Sequence, residues 1–185
     1  MYETALELKF IDPLVKQNKK SIRDAIRLRA NGEIHWQVLQ AEVYGKRMAQ
    51  AQLMEGVESF LKTCRREGVW MLIVSHKTKY AAQDKERINM QEAALDWMKQ
   101  HYFFDDDLGL SEDRVYFEET RQNKVNRIKQ LGCTHFVDDL EETFLEKSFP
   151  KEVIQILYGS YHEAHATTVM NYQSWQDIYD YFFKN

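Results

Sequence analysis

Cysteine and proline are almost missing from this chain, two of each in 185 residues, and glycine occurs only seven times. Cys64 and Cys133 show no metal-ligand spacing, so a disulfide framework is excluded. They read as buried thiols in a reducing compartment, with the cytoplasm as the default. The shortage of proline and glycine leaves no low-complexity linker, and no internal repeat stands out. No apolar run approaches the length needed to cross a bilayer, and the polar N-terminus is not that of a signal peptide, so no membrane partner is expected. A formal net charge of −4 gives nucleic acid no bulk electrostatic attraction. None of the glycines forms G-x-x-x-x-G-K-[ST], which removes P-loop nucleotide binding. What is present is the balance of a soluble globular protein, 29% charged and 44% hydrophobic. The length suits one domain with a full core and a small insertion.

The first third predicts helices. In "SIRDAIRLRANG", Ile22, Ala25 and Ile26 fall at helical spacing and Gly32 reads as a stop. Helical spacing continues through "EIHWQVLQAEVYGKRMAQAQ" and again through "GVESFLKTCRREG", which places Val57, Phe60, Leu61 and Cys64 on one face. The pattern then changes. "VWMLIVS" is a near-continuous apolar run of strand length, expected to be covered on both faces. It is followed by the helix "INMQEAALDWMKQHYF", the strand "RVYFEE", the helix "RQNKVNRIKQLG", the strand "THFVDD", the segment "LEETFLEK" and the strand "VIQILYG". Ser174 is the expected N-cap of a last helix, "SWQDIYDYFFK". This alternation predicts an α/β fold with a parallel sheet over residues 69–75, 114–118, 134–138 and 153–158.

Ligands of such sheets bind beyond the carboxyl ends of the strands. Three of those ends carry reactive groups: Ser75, Glu118 with Glu119, and Asp138 with Asp139. Adjacent carboxylates raise each other's pKa unless a cation or a donor compensates, so the Asp138–Asp139 pair asks for a partner. It could equally cap the helix that follows. Ser75 can donate to a phosphoryl oxygen, Lys124 can balance its charge, and Asp138 and Asp139 can hold Mg²⁺ through hard oxygen ligands. Taken singly, each has a plainer role. Ser75 could cap a helix, Lys124 could be one solvated charge among many, Glu118 and Glu119 could cap or solvate, and His76 and Lys77 could be loop residues beside the pocket. A phospho-receiver domain uses the same residue types, but its acid pair follows the first strand, whereas here the pair follows the third.

The order of "MLIVSHKT", the lysine of "RQNKVNRI" and "HFVDDLEE" resembles the second, third and fourth motifs of the haloacid dehalogenase superfamily. The likeness covers roughly residues 56 to 158. It implies a Rossmann-like core over residues 54–185 and a small helical cap within residues 1–53. It also implies Mg²⁺-dependent hydrolysis of a small phosphorylated molecule, with Ser75 and Lys124 catalytic and Asp138 and Asp139 on the metal. The family's first motif, Asp-x-Asp after a central strand, supplies the nucleophile. Its place would be before Ser75, where the only aspartates are Asp12 and Asp24. "YETALELKFID" resembles the segment that follows that motif, so the chain reads as truncated at its start or as a degenerate homologue. Two expectations follow. The central strand between those ending in Ser75 and Asp138 should be missing, and phosphatase activity should be absent. The alternative is a non-catalytic phospho-ligand-binding or interaction protein on the same fold.

Overall fold

Apolar residues at helical spacing and polar caps at the right offsets fold the N-terminal third as helices. The structure is a computed structural model that describes residues 1–82, 84, 86–159 and 169–184. It divides into two units, Met1–Ala51 with Thr78–Gln100, and Gln52–Lys77 with His101–Asn185. Residues 78–100, which a single boundary at residue 53 would leave with the core, thus group with the N-terminal helices.

The first unit holds α1 (Tyr2–Glu7), α2 (Lys19–Arg27), α3 (Gly32–Ala41) and α5 (Met90–Gln100). The Asn18 side chain opens α2 by accepting from the Ser21 N–H at 2.8 Å. Ile22 and Ile26 then pack with Ala5, Ile11, Trp36 and Leu39 in one apolar cluster. Gly32 is no stop. The chain ends α2 at Arg27, turns through Asn31 in the left-handed region (φ 57°), and opens α3 at Gly32. The helical pattern beyond Ala41 also breaks earlier than its spacing predicts, into a π turn at Glu42–Lys46 and a 3-10 turn at Met48–Gln50. Gly45 lies within that π turn, where a Cβ would come 2.9 Å from the Ile88 side chain.

The second unit holds α4 (Val57–Arg66), β1 (Ile73–His76), β2 (Val115–Glu118), α6 (Arg121–Gln130), β3 (His135–Asp138), α7 (Glu141–Phe144), β4 (Ile154–Tyr158), β5 (Met170–Tyr172) and α8 (Trp175–Phe183). Every strand pairing is parallel, so the chain is a mixed α/β protein with parallel sheets. The strands do not form one sheet, however. β1 pairs with β2, the order β3-β4-β5 makes a second sheet, and no pairing joins the two among the described residues. They nevertheless share one core: Val74 of β1 and Val125 and Ile128 of α6 cluster with Phe136 of β3 and Leu157 of β4.

β1 is shorter than the apolar run that predicts it. Val69 and Trp70 are 39% and 66% exposed, and the Trp70 ring lies 5.3 Å from the Arg114 guanidinium, so the run is not covered along its whole length. β5 was not legible, because a three-residue strand shows no usable periodicity. Ser174 caps α8 as expected, in a reciprocal box: its hydroxyl accepts from the Asp177 N–H at 3.1 Å, and the Asp177 carboxylate accepts from the Ser174 N–H at 3.1 Å. Aromatic contacts join α8 to α4, with Phe60 5.3 Å from Trp175 and 5.5 Å from Phe182 between ring centroids. No helix among the described residues is long and apolar enough to cross a membrane.

Cys64 lies on the buried face of α4, 1% exposed, and burial pushes its thiol up to about 11. Since the thiolate is the nucleophile, its population at pH 8 should be about two-hundred-fold below that of an ordinary cysteine. Iodoacetamide should therefore label Cys64 slowly in the folded chain and rapidly in urea, as read by peptide mass spectrometry. Equal rates in the two conditions would contradict its burial.

Candidate functional site at the carboxyl edge

β2 ends at Glu118, and Thr120 caps the next helix by accepting from the Asn123 N–H at 3.1 Å. That cap fixes the first turn of α6, on which Lys124 is the fourth residue. The Lys124 ammonium donates to Asp138 Oδ2 at 2.5 Å, and the Leu140 N–H donates to Oδ1 of the same carboxylate at 3.1 Å. Lys124 and Asp138 are each 7% exposed, so this is a buried ion pair. The ammonium also lies 5.2 Å from the Phe136 ring centroid, where the ring face adds a weak attraction.

These contacts orient the two sheets. Lys124 sits just past the carboxyl end of β2 and bonds the last residue of β3. The carboxyl ends of β2 and β3 therefore lie on one side. β1 runs parallel to β2, with Ser75 opposite Phe117, so the end of β1 joins the same edge. The loop after β1 is tied there too: the Lys77 N–H donates to the Glu118 carbonyl at 2.9 Å, and the His76 ring bonds the Glu119 carbonyl at 3.1 Å. Ser75 is half-buried, and its hydroxyl makes no hydrogen bond among the described residues.

The two acids of the pair face different ways. Asp138 faces inward to Lys124, while Asp139 is exposed, as expected of neighbours at the end of a strand. Glu118 is engaged by Arg127 at 2.7 Å and has a structural role in holding α6 to β2. Glu141, the first residue of α7, is a further acid at this edge and is only 2% exposed. The one signal for it was the density of acids in "VDDLEE". His135, at the start of β3, is held below its ordinary pKa by burial, with the Phe182 ring 4.9 Å away.

A magnesium site was the role expected of Asp138 and Asp139. Both oxygens of Asp138 are already engaged, one of them by an ammonium, and no group of three His, Cys, Asp or Glu side chains able to hold a metal occurs among the described residues. Mg²⁺ is usually held through one or two carboxylates completed by water and substrate phosphate, and Asp139 is the exposed carboxylate at this edge. No family model matches the chain, and no curated protein or solved structure matches it either.

Proposed function

We propose that this edge is the phosphate site of a haloacid dehalogenase-like domain, in which Ser75 donates to a phosphoryl oxygen and Lys124 balances its charge. The observation that carries the reading is the buried Lys124–Asp138 pair, bonded at 2.5 Å at the carboxyl edge of parallel strands. Burying two charges costs more than an apolar pair of the same size, so such a pair weighs against a purely structural origin. The half-buried Ser75 hydroxyl at the same edge suits a ligand rich in acceptor oxygens. The parent chemistry is phosphomonoester hydrolysis. This chain, without Asp-x-Asp before Ser75, binds a small phosphorylated molecule and does not turn it over. A carboxylate nucleophile divides a hard displacement into two easier steps, and the remaining groups only position and neutralise the phosphoryl group. The free thiols of Cys64 and Cys133 favour the cytoplasm as its compartment.

The test pairs binding with turnover. Inorganic phosphate should shift the amide resonances of Ser75 and Lys124, and the double replacement Lys124→Met with Asp138→Leu, which leaves no unpaired buried charge, should abolish the Ser75 shift. p-Nitrophenyl phosphate, with or without Mg²⁺, should be hydrolysed no faster than in buffer. Absence of any phosphate-dependent shift would overturn the site. Turnover that Asp138→Asn abolishes would show that the nucleophile lies within this chain after all.

A further inference from the structure

We propose that the outward side of α2, with the turn that precedes it, is a docking surface for the headgroups of an anionic lipid bilayer. The surface lies in the first unit, whereas Ser75 and Lys124 lie in the second, so the inference is independent of the phosphate reading. Charge is divided unevenly along the chain. Its formal net charge is −4, yet residues 9–33 hold seven Lys and Arg against three Asp and Glu, a surplus of +4 that leaves −8 elsewhere. Each of the three acids is engaged by an arginine: Asp12 by Arg29 at 2.6 Å, Asp24 by Arg23 at 2.9 Å and Glu33 by Arg27 at 2.7 Å. The surplus thus resides on Lys9, Lys16, Lys19 and Lys20, and the first, second and fourth of these are exposed.

Helical geometry turns this charge outward. Ile22 and Ile26 bury one face of α2 in the apolar cluster of the unit. Lys20 and Leu28 stand two positions from those isoleucines and so fall on the opposite face. Leu28, the C-cap, is 89% exposed, and Leu14 is 96% exposed, the highest values for large hydrophobic side chains among the described residues. Arg29 bonds both Asp12 and, at 3.1 Å, the Lys9 carbonyl, which holds the turn leading to Leu14 against the end of α2 that bears Leu28. Lysines alone would suit any polyanion, but nucleic acid leaves the leucines in water. A bilayer takes both: anionic headgroups meet the lysines, and projecting leucines enter the acyl boundary without needing a shaped pocket. Peripheral contact of this kind requires neither a spanning helix nor a signal segment. The anionic leaflet that faces the cytoplasm has the matching chemistry.

Co-sedimentation of the full chain with lipid vesicles tests this. The probe is phosphatidylcholine vesicles containing about one-third phosphatidylserine, and the control is phosphatidylcholine alone. The chain should pellet with the anionic vesicles at about 0.1 M salt and stay in the supernatant at about 1 M, where the screening length falls to roughly 3 Å. It should not pellet with the control. Lys16→Gln with Lys20→Gln should weaken binding roughly 25-fold, on the order of fivefold for each charge removed. Leu14→Ser with Leu28→Ser should weaken it at least about threefold, because less apolar surface enters the bilayer. Helical circular dichroism should be unchanged in the leucine variant, since both side chains already stand in water. A chain that ignores the anionic vesicles would overturn the proposal. Binding that survives both double replacements would overturn it too, by placing the contact elsewhere. Binding that the lysine pair weakens and the leucine pair leaves untouched would overturn the lipid occupant and reassign the surface to an acidic protein or nucleic acid.

Discussion

Asp138→Ala is expected to destabilise the second unit by about 3–5 kcal/mol, the range for breaking a buried ion pair by removing one partner. The cost comes less from the lost attraction than from what remains behind. Lys124 would be left as an ammonium with 9% of its side chain exposed and no counter-charge at 2.5 Å. The Leu140 N–H, which now donates to Asp138 Oδ1, would lose its acceptor as well. Asp138→Asn keeps an oxygen for Leu140 and should cost less than alanine. The double replacement Lys124→Met with Asp138→Leu removes both charges and should recover most of the loss, since apolar substitutes for a buried pair are often neutral. Urea unfolding of the parent, the single variants Lys124→Met and Asp138→Leu and their double closes the cycle, with coupling read from the departure from additivity. Single variants within about 0.5 kcal/mol of the parent, the ordinary range for a surface substitution, would mean that water reaches the pair.

That pair also shows how far the sequence could be read. An apolar run ending in "VDD" and a lysine in the first turn of a capped helix were enough to bring Asp138 and Lys124 to one edge, because strand ends and helix starts share a side in parallel αβ units. The split of Asp138 from Asp139 was out of reach. Whether an acid faces inward depends on what the facing helix offers, and here that is Lys124, fourteen residues upstream. "VWMLIVS" misled in its first half for a related reason. Hydrophobicity marks a segment as buriable, but the covering elements decide, and Trp70 ends up beside Arg114 near solvent. The grouping of residues 78–100 with the first unit was equally invisible, since a helical period does not name the surface a helix packs on. Gly32 was misread because a glycine after a helical run signals a stop only when the chain needs a left-handed residue there. In this turn Asn31 supplies that conformation.

What Gly32 supplies instead is space, and this sets the second large effect. Gly32→Ala should destabilise the first unit by about 3 kcal/mol, the upper part of the usual range for overpacking. Propensity argues the other way, because alanine is favoured over glycine in a helix by about 1 kcal/mol. The steric contact decides the sign. A Cβ at Gly32 would stand 2.3 Å from the Ile26 carbonyl oxygen and 2.7 Å from the Arg27 Cα. Both are backbone atoms of α2, so no side chain can rotate away. Relief requires the start of α3 to move off α2, which opens the contact among Ile22, Ile26, Trp36 and Leu39. Gly68 and Gly132 provide the contrast. Both are left-handed, at φ 71° and 62°, and neither has an atom within 4 Å of a built Cβ. Alanine at either should cost only the conformational penalty, roughly 1–2 kcal/mol. Thermal or urea unfolding of the three variants ranks them, with Gly32→Ala expected as the most damaging. A Gly32→Ala chain as stable as the parent would show that α2 and α3 do not approach this closely.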